Sequence, residues 1–531
     1  MMSREIGTHR ITSADGRARS RLMLGSRRSS REGGVRPAAL VSVARTGLFS
    51  PVSRFRTTTS PPRRTRMPTH VHDPQAGDTR ATHASPGDGA APDRLPRRLG
   101  VWSAAAVLVG STIGSGIFRI VGGPEGVAAR VETVGAMSLL WIVGALVALT
   151  GALAIAELAT MFPRSGGIYV FIREAYGPLP AFLFGWTELL VIRPSALGAI
   201  AMLFAEYAGQ FFGYGDLGTR LVAAAAILLL GLANLLSVRG AAAVQDISTL
   251  AKVLAIAGLA VAGFVFATPG QGALAGPIEW SPTTWAGFGL ALVSVMWAYD
   301  GWADLTFISG EVKDPARTLP RAIIGGVLGI VAIYIAVNAA YLYVLTVPEM
   351  IGSKLVAADT ATKVFGAVGA SVVAAMVMVS AFGALNGSMM TGPRIFFAMA
   401  DDGNFFRPIA AVHPRFKTPY AAILLAVALG IGYVSLRTFE QLADAFILGI
   451  WPFYALAVGA VYILRVKRPD APRPYRTWGY PVVPAIFLVA SLGMLLNALI
   501  SDPMVTLVCF GVILAGIPVY LLWKGRAAPA S

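Results

Sequence analysis

Twelve long apolar runs, separated by short polar connections, fill the chain from Val101 onward and restrict what it can become. They fall at roughly 101–121, 133–161, 178–209, 219–237, 245–267, 286–309, 321–346, 370–400, 419–436, 441–464, 480–500 and 503–523. A helix needs about 20 residues to cross the hydrocarbon core of a bilayer. No water is available there to satisfy backbone N–H and C=O groups, so each spanning segment must bond its own backbone. The runs therefore predict twelve transmembrane helices packed as a bundle in the lipid bilayer. Lys and Arg are divided unevenly among the connections. With the N-terminus inside, the inner loops and C-terminal tail carry 17 and the outer loops carry five. Positive residues favour the cytoplasmic side, so both termini are expected in the cytoplasm, with the protein multi-pass in the cell (cytoplasmic) membrane.

Charge separates a tail from this body. The first 100 residues hold 19 Arg and seven acidic residues, a net charge of +12 out of +16 for the chain. Residues 1–98 are rich in Arg, Ser, Thr, Pro and Gly and lack a sustained apolar period, so they are expected to be disordered. Their first 66 residues overlap in composition with organellar transit peptides, and a start at Met67 is an alternative reading. The apolar run beginning near Val101 lies too deep for a cleavable secretory signal. Residues 99–525 form the expected second domain. The positive charge gives no case for nucleic acid, because it sits on a segment that cannot bury a core.

Enzyme chemistry finds little purchase. The single cysteine, Cys509, excludes an intramolecular disulfide framework and any Cys-ligated cluster. Four of the five His lie in the tail, and the pair His70 and His72 alone is weak grounds for a metal site. No P-loop, GxSxG elbow or kinase signature is present. The expectation is no enzyme, no catalytic residues, no metal and no cofactor.

Two runs carry interruptions. The first contains GSTIGSGIF at 110–118, with Gly110, Gly114 and Gly116 inside seven residues. Each Gly costs a helix about 1 kcal/mol relative to Ala, so the cluster predicts unwinding, although Gly110 and Gly114 alone also suit a small-residue packing face. The sixth run contains WAYDGWADL at 297–305, with Asp300 and Asp304. A charge at mid-membrane costs at least about 2.5–3.5 kcal/mol, so it should face a cavity or a partner. Asp300, beside Gly301, is central; Asp304 reads as a position near the wet cytoplasmic end. The two interruptions lie five spans apart. Broken helices at corresponding positions of two five-helix halves, about 101–267 and 286–464, mark an inverted-repeat transporter, with helices eleven and twelve at about 480–523 added. Unwinding frees N–H groups that suit a carboxylate and carbonyls that suit an ammonium, which points to amino-acid-like solutes.

Two basic residues within the spans need partners. Lys252, in DISTLAKVLAIAG, either snorkels to the inner surface or turns inward to bond carbonyls freed by the broken first helix. Inside, its ammonium could occupy the place of a coupling cation or carry a proton. Arg193 in the third span has Glu188 and Glu206 nearby; a structural ion pair is the first expectation, gating the alternative.

These stretches resemble a known family. GSTIGSGIF, ELATMFPRSGGIYVFIREAYG, AYDGWADLTFISGEVKDPARTLPRAI, FGALNGSMMTGPRIFFAMADDG and RPDAPRPYRTWGYP are similar to the amino acid–polyamine–organocation superfamily. RPSALGAI, VQDISTLAK and AYDGW bring the resemblance closer to the L-type amino acid transporter group and its bacterial relatives. It covers about residues 100–525. The resemblance implies an all-α membrane protein of twelve helices in a LeuT-like five-plus-five inverted repeat working by alternating access. It further implies that Ile113, Gly114, Ser115 and Gly116 bind a substrate carboxylate, while Trp297, Ala298 and Asp300 surround the amino group. Trp297 would act as an aromatic gate, and Tyr299, Gly301 and Trp302 would shape the turn. Lys252 would match a fifth-helix lysine standing where sodium-coupled relatives hold an ion, and Asn386 would lie near the site or serve helix packing. Animal members use an external Cys to join a glycoprotein. Here the only Cys lies in the twelfth span, so no disulfide-linked heavy chain is expected, and the protein should be a monomer or homodimer. Asp300 replaces a small residue of several neutral-amino-acid members, which would admit cationic substrates or provide a proton acceptor.

The resulting expectation is a secondary amino-acid transporter, an exchanger or proton symporter. A sodium-coupled symporter of the same fold is the first alternative, opposed by Lys252. A non-transporting amino-acid sensor is the second.

Overall fold

A computed structural model describes residues 97–526, apart from 115, 237, 269–270, 276–281, 354 and 502. The expected disordered tail, except for its last two residues, and the candidate ligand Ser115 lie outside the described residues.

The described chain is helical. In order it forms α1 (Val101–Thr112), α2 (Gly116–Arg119), α3 (Val127–Val131), α4 (Val134–Met161), α5 (Ile168–Tyr176), α6 (Pro178–Thr187), α7 (Arg193–Phe212), α8 (Asp216–Leu236) and α9 (Val238–Phe266). Then come α10 (Pro282–Tyr299), α11 (Asp304–Phe307), α12 (Pro315–Val344), α13 (Val347–Gly352), α14 (Val356–Asp401), α15 (Tyr420–Leu436), α16 (Phe439–Lys467), α17 (Val482–Ser501) and α18 (Pro503–Arg526). Ten helices among the described residues are long and apolar enough to cross a membrane, counting α1 and α2 as one. Two shorter apolar stretches, Gly287–Tyr299 and Tyr420–Leu436, accompany them. Large aliphatic side chains such as Val489, Ile500 and Leu522 face outward on α17 and α18. That surface suits lipid, because water would charge about 25 cal/mol for each Å² of apolar area left exposed. The protein is an all-helical, multi-pass membrane protein.

Both expected interruptions are present. The chain leaves helical geometry at Ile113 after α1, with ψ at 82°, and resumes at Gly116. It leaves α10 after Tyr299, passes Gly301 at φ +107°, and resumes at Asp304. The eighth run differs from expectation. Its helix begins at Val356, well before 370, and bends at Gly366, where φ is 69°. The polar stretch DTATK hides that first part from a hydropathy reading. The third run is continuous, but its middle residues, Glu188–Ile192, form a π-helical turn between α6 and α7.

Packing places the breaks at the centre. α12 packs on α4 and α1, and α14 packs on α7 and α9. At the end of the bundle where the described chain begins, the backbone N–H groups of Arg98 and Leu99 donate to the Glu311 carbonyl at 2.7 and 2.9 Å. The Glu311 side chain accepts from Arg394 Nε at 3.0 Å, with both residues almost fully buried. The buried Glu157 carboxylate of α4 accepts from Arg465 at 2.7 Å and from the Thr477 N–H at 2.7 Å. The first set of bonds ties the pre-α1 segment, the chain after α11 and α14 together, and the second ties α4 to α16 and the chain that follows it.

Candidate functional site

A cavity of about 570 Å³, counting its open mouth, lies between the two breaks. Gly114, Gly116, Trp297, Asp300, Gly301 and Arg193 line it. The glycines there are forced by close approach. A Cβ on Gly116 would stand 2.3 Å from Ala298 Cα, and one on Gly301 would stand 2.7 Å from Thr112 Oγ1. The two unwound segments therefore touch backbone to backbone, which no larger residue permits. Gly110 is different: its Cβ would collide with Gln245 and Thr249 of α9. It is a packing glycine, as the small-residue reading allows.

Broken helices leave carbonyls without partners, and here side chains supply them. Lys252 is buried, and its Nζ donates to Gly110 O at 2.8 Å and Ile113 O at 2.7 Å. It turns inward and does not snorkel. Ser380 Oγ donates to the same Ile113 carbonyl at 3.2 Å. The Tyr334 hydroxyl, on α12, lies 3.0 Å from Thr112 O and 3.1 Å from Ala298 O, so its one proton serves the ends of both broken helices. Ile113 and Ala298 thus stand behind the cavity wall with their carbonyls engaged. The N–H groups of Ile113 and Gly114 are also engaged, donating to Val109 O and Thr112 O at 2.8 Å each. Gly116 opens α2, where helix geometry provides its N–H with no intrahelical acceptor.

On the second break, Asp300 Oδ1 accepts from the Tyr454 hydroxyl of α16 at 2.7 Å. Trp297 packs edge-on against Phe446, with ring centroids 5.0 Å apart, and against Phe439 at 6.4 Å. Asn386 lies off the cavity and bridges helices: it accepts from Asn234 at 2.9 Å and donates to Gln245 at 3.0 Å. The packing alternative describes it.

Arg193 pairs as expected. Its Nε donates to Glu188 Oε1 at 2.8 Å, and its Nη1 donates to Ser388 Oγ at 2.7 Å. Glu206 instead faces Arg119, 3.9 Å away. Asp304 corrects the sequence reading. Far from being wet, it is 8% exposed, lines the cavity and accepts from Thr391 Oγ1 at 3.5 Å. The short α11 begins at Asp304 and keeps it beside the break. Sequence reasoning also missed Tyr454, Tyr334 and Ser388. A hydroxyl-bearing residue in an apolar run was the available signal, since buried hydroxyls find partners.

A family model described as amino acid permease matches residues 99–522. The chain belongs to that family. The permease is 33% identical to the serine/threonine exchanger SteT of Bacillus subtilis (strain 168) over 437 residues, covering 82% of this chain and 98% of the relative. It is 34% identical to the b(0,+)-type amino acid transporter 1 of Homo sapiens, covering 81% and 88% of the two chains. It is 32% identical to the large neutral amino acids transporter small subunit 2 of Rattus norvegicus, covering 86% of each. These relatives are transporters, and the permease is a member of an L-type-like branch of amino-acid transporters, not an enzyme.

Proposed function

We propose that this permease is a secondary active transporter that moves amino acids by alternating access, as an exchanger or a proton-coupled symporter. The observation that carries the reading is Lys252 bridging Gly110 O and Ile113 O at the first break. An ammonium there fills an oxygen cage that would otherwise suit a monovalent cation, and Na⁺ would be repelled from it. That favours sodium-independent transport over the sodium-coupled alternative.

The substrate's α-carboxylate is assigned to the start of α2 at Ser115 and Gly116, where the first N–H groups of a helix lack intrahelical acceptors, with Gly114 lining the cavity beside them. Its α-ammonium is assigned to the break after α10, near Trp297 and Asp300. Asp300, held by Tyr454, supplies a negative charge for a cationic substrate or accepts a proton. The spans are counted as twelve, α10 with α11 as the sixth and α15 as the ninth, in two inverted five-helix repeats within a 99–525 domain. Both termini are assigned to the cytoplasmic side of the cell membrane. The SteT relative is named as an exchanger, which supports exchange. The small-subunit relative is named for an assembly; Cys509, buried in α18, is unsuited to an external disulfide, so a monomer or homodimer is the proposed state.

Purified protein in Na⁺-free proteoliposomes tests this. Counterflow of labelled amino acid is expected. Transport that requires Na⁺ would favour the sodium-coupled form, and binding without counterflow would favour a sensor.

A further inference from the structure

The cavity wall holds a polar cluster that the α-carboxylate and α-ammonium of the substrate leave unused. It consists of Glu188, Arg193, Asp304 and Ser388, with Thr391 bonded to Asp304. Residues five apart do not share a face of an α-helix, where neighbours are three or four apart. The π-helical turn over Glu188–Ile192 changes that and brings Glu188 to Arg193. The guanidinium donates to Glu188 Oε1 and to Ser388, yet Glu188 Oε2 is buried with no hydrogen-bond partner among the described residues. A buried carboxylate oxygen calls for a donor. Asp304 accepts from Thr391 in a long 3.5 Å contact and also meets the Ser111 hydroxyl, both neutral donors. Three carboxyl groups, those of Glu188, Asp300 and Asp304, line the same cavity as a single guanidinium. A neutral hydroxyl would supply one proton and so meet only one of these oxygens. An ammonium or guanidinium supplies several donors and the compensating charge together.

We infer that Glu188 and Asp304 form a subsite for a cationic group at the end of the substrate's side chain, and so determine specificity for amino acids with basic side chains. The inference rests on the proposed amino-acid site at the two breaks and adds to it the residues that read the side chain.

The test measures uptake of labelled lysine, serine and leucine into proteoliposomes by the wild type, Asp304→Asn and Glu188→Gln. Within each variant the lysine-to-leucine ratio is the readout, so altered expression or folding divides out. Wild-type lysine uptake is expected, and the ratio should fall at least about tenfold in each variant, because each loses a charge-assisted bond to the cation. Asp304→Asn keeps the oxygen that accepts from Thr391, so it serves if Glu188→Gln fails to fold against Arg193. An unchanged ratio overturns the proposal, as does wild-type uptake that excludes lysine, or a serine-to-leucine ratio that falls while lysine's holds. Failure of the wild type to move any amino acid would instead overturn the transporter reading itself.

Discussion

The Lys252 ammonium stands 2.7 Å from the Ile113 carbonyl and 2.8 Å from that of Gly110, so one side chain meets two of the carbonyls at the broken end of α1. Each carbonyl is buried, and leaving a buried acceptor unmet costs about 1–3 kcal/mol. Lys252→Met keeps the length of the stem and removes the donors. Its expected result is a lower unfolding temperature and loss of most amino-acid uptake. Uptake at the wild-type level with the same pH profile would refute any role for Lys252 in the transport cycle.

The glycines of the first break separate by function. Gly116→Ala puts a methyl 2.3 Å from Ala298 Cα, a backbone atom that cannot swing away. Gly114→Val enters the cavity beside Ala384, 3.1 Å from the new Cβ. Both should abolish substrate-induced thermal stabilisation. Gly110→Ala, which meets the side chains of Gln245 and Thr249 rather than backbone, should retain measurable binding at reduced stability. The check is a thermal-shift titration with amino acids, and normal shifts for Gly116→Ala would remove the site from this break.

Glu349, outside the membrane spans, reports pH. The Lys363 ammonium and the Thr346 backbone N–H hold its carboxyl at about 2, below an ordinary value of 4.5. A depressed value means that its stabilising contribution is present above about pH 4.5 and is lost as pH falls toward 2. The melting temperature of Glu349→Gln should therefore lie slightly below that of the wild type at neutral pH and converge with it in acid. The difference is small because the pair is exposed. A constant offset across that range would refute the assignment.

Much of the fold was legible because lipid enforces it. Uninterrupted apolar length sets the spans, and glycine clusters mark the places where the helix yields, so Gly114, Gly116 and Gly301 could be placed in advance. Asp304 could not. Linear distance along a span predicts depth only while the helix continues, and after Gly301 it does not. An ion pair for Arg193 could be expected from the nearby acids, but the π-helical turn that brings Glu188, five residues away, onto its face could not, because such a turn has no composition of its own. Tyr334, which joins the two breaks, looked like any aromatic in an apolar run. Its role depends on a packing partner more than 200 residues away.

The Glu188–Arg193 pair makes the last case. Both residues are buried, and the guanidinium reaches only Glu188 and Ser388 among the described residues. Removing one partner of a buried pair strands the other charge, at a cost of about 3–5 kcal/mol. Replacing both partners removes the stranded charge and with it most of that penalty. Arg193→Met should accordingly be strongly destabilised, because Glu188 then sits without a counter-charge on a turn already lacking regular α-helical bonds. The double variant Glu188→Gln with Arg193→Met should recover most of the lost stability, even while its lysine-to-leucine ratio stays low. Denaturant or thermal unfolding in detergent, run as a double-mutant cycle, measures the coupling directly. Additive effects of the two substitutions would mean that the ion pair contributes nothing to the fold, and that the π-helical turn is held by packing alone.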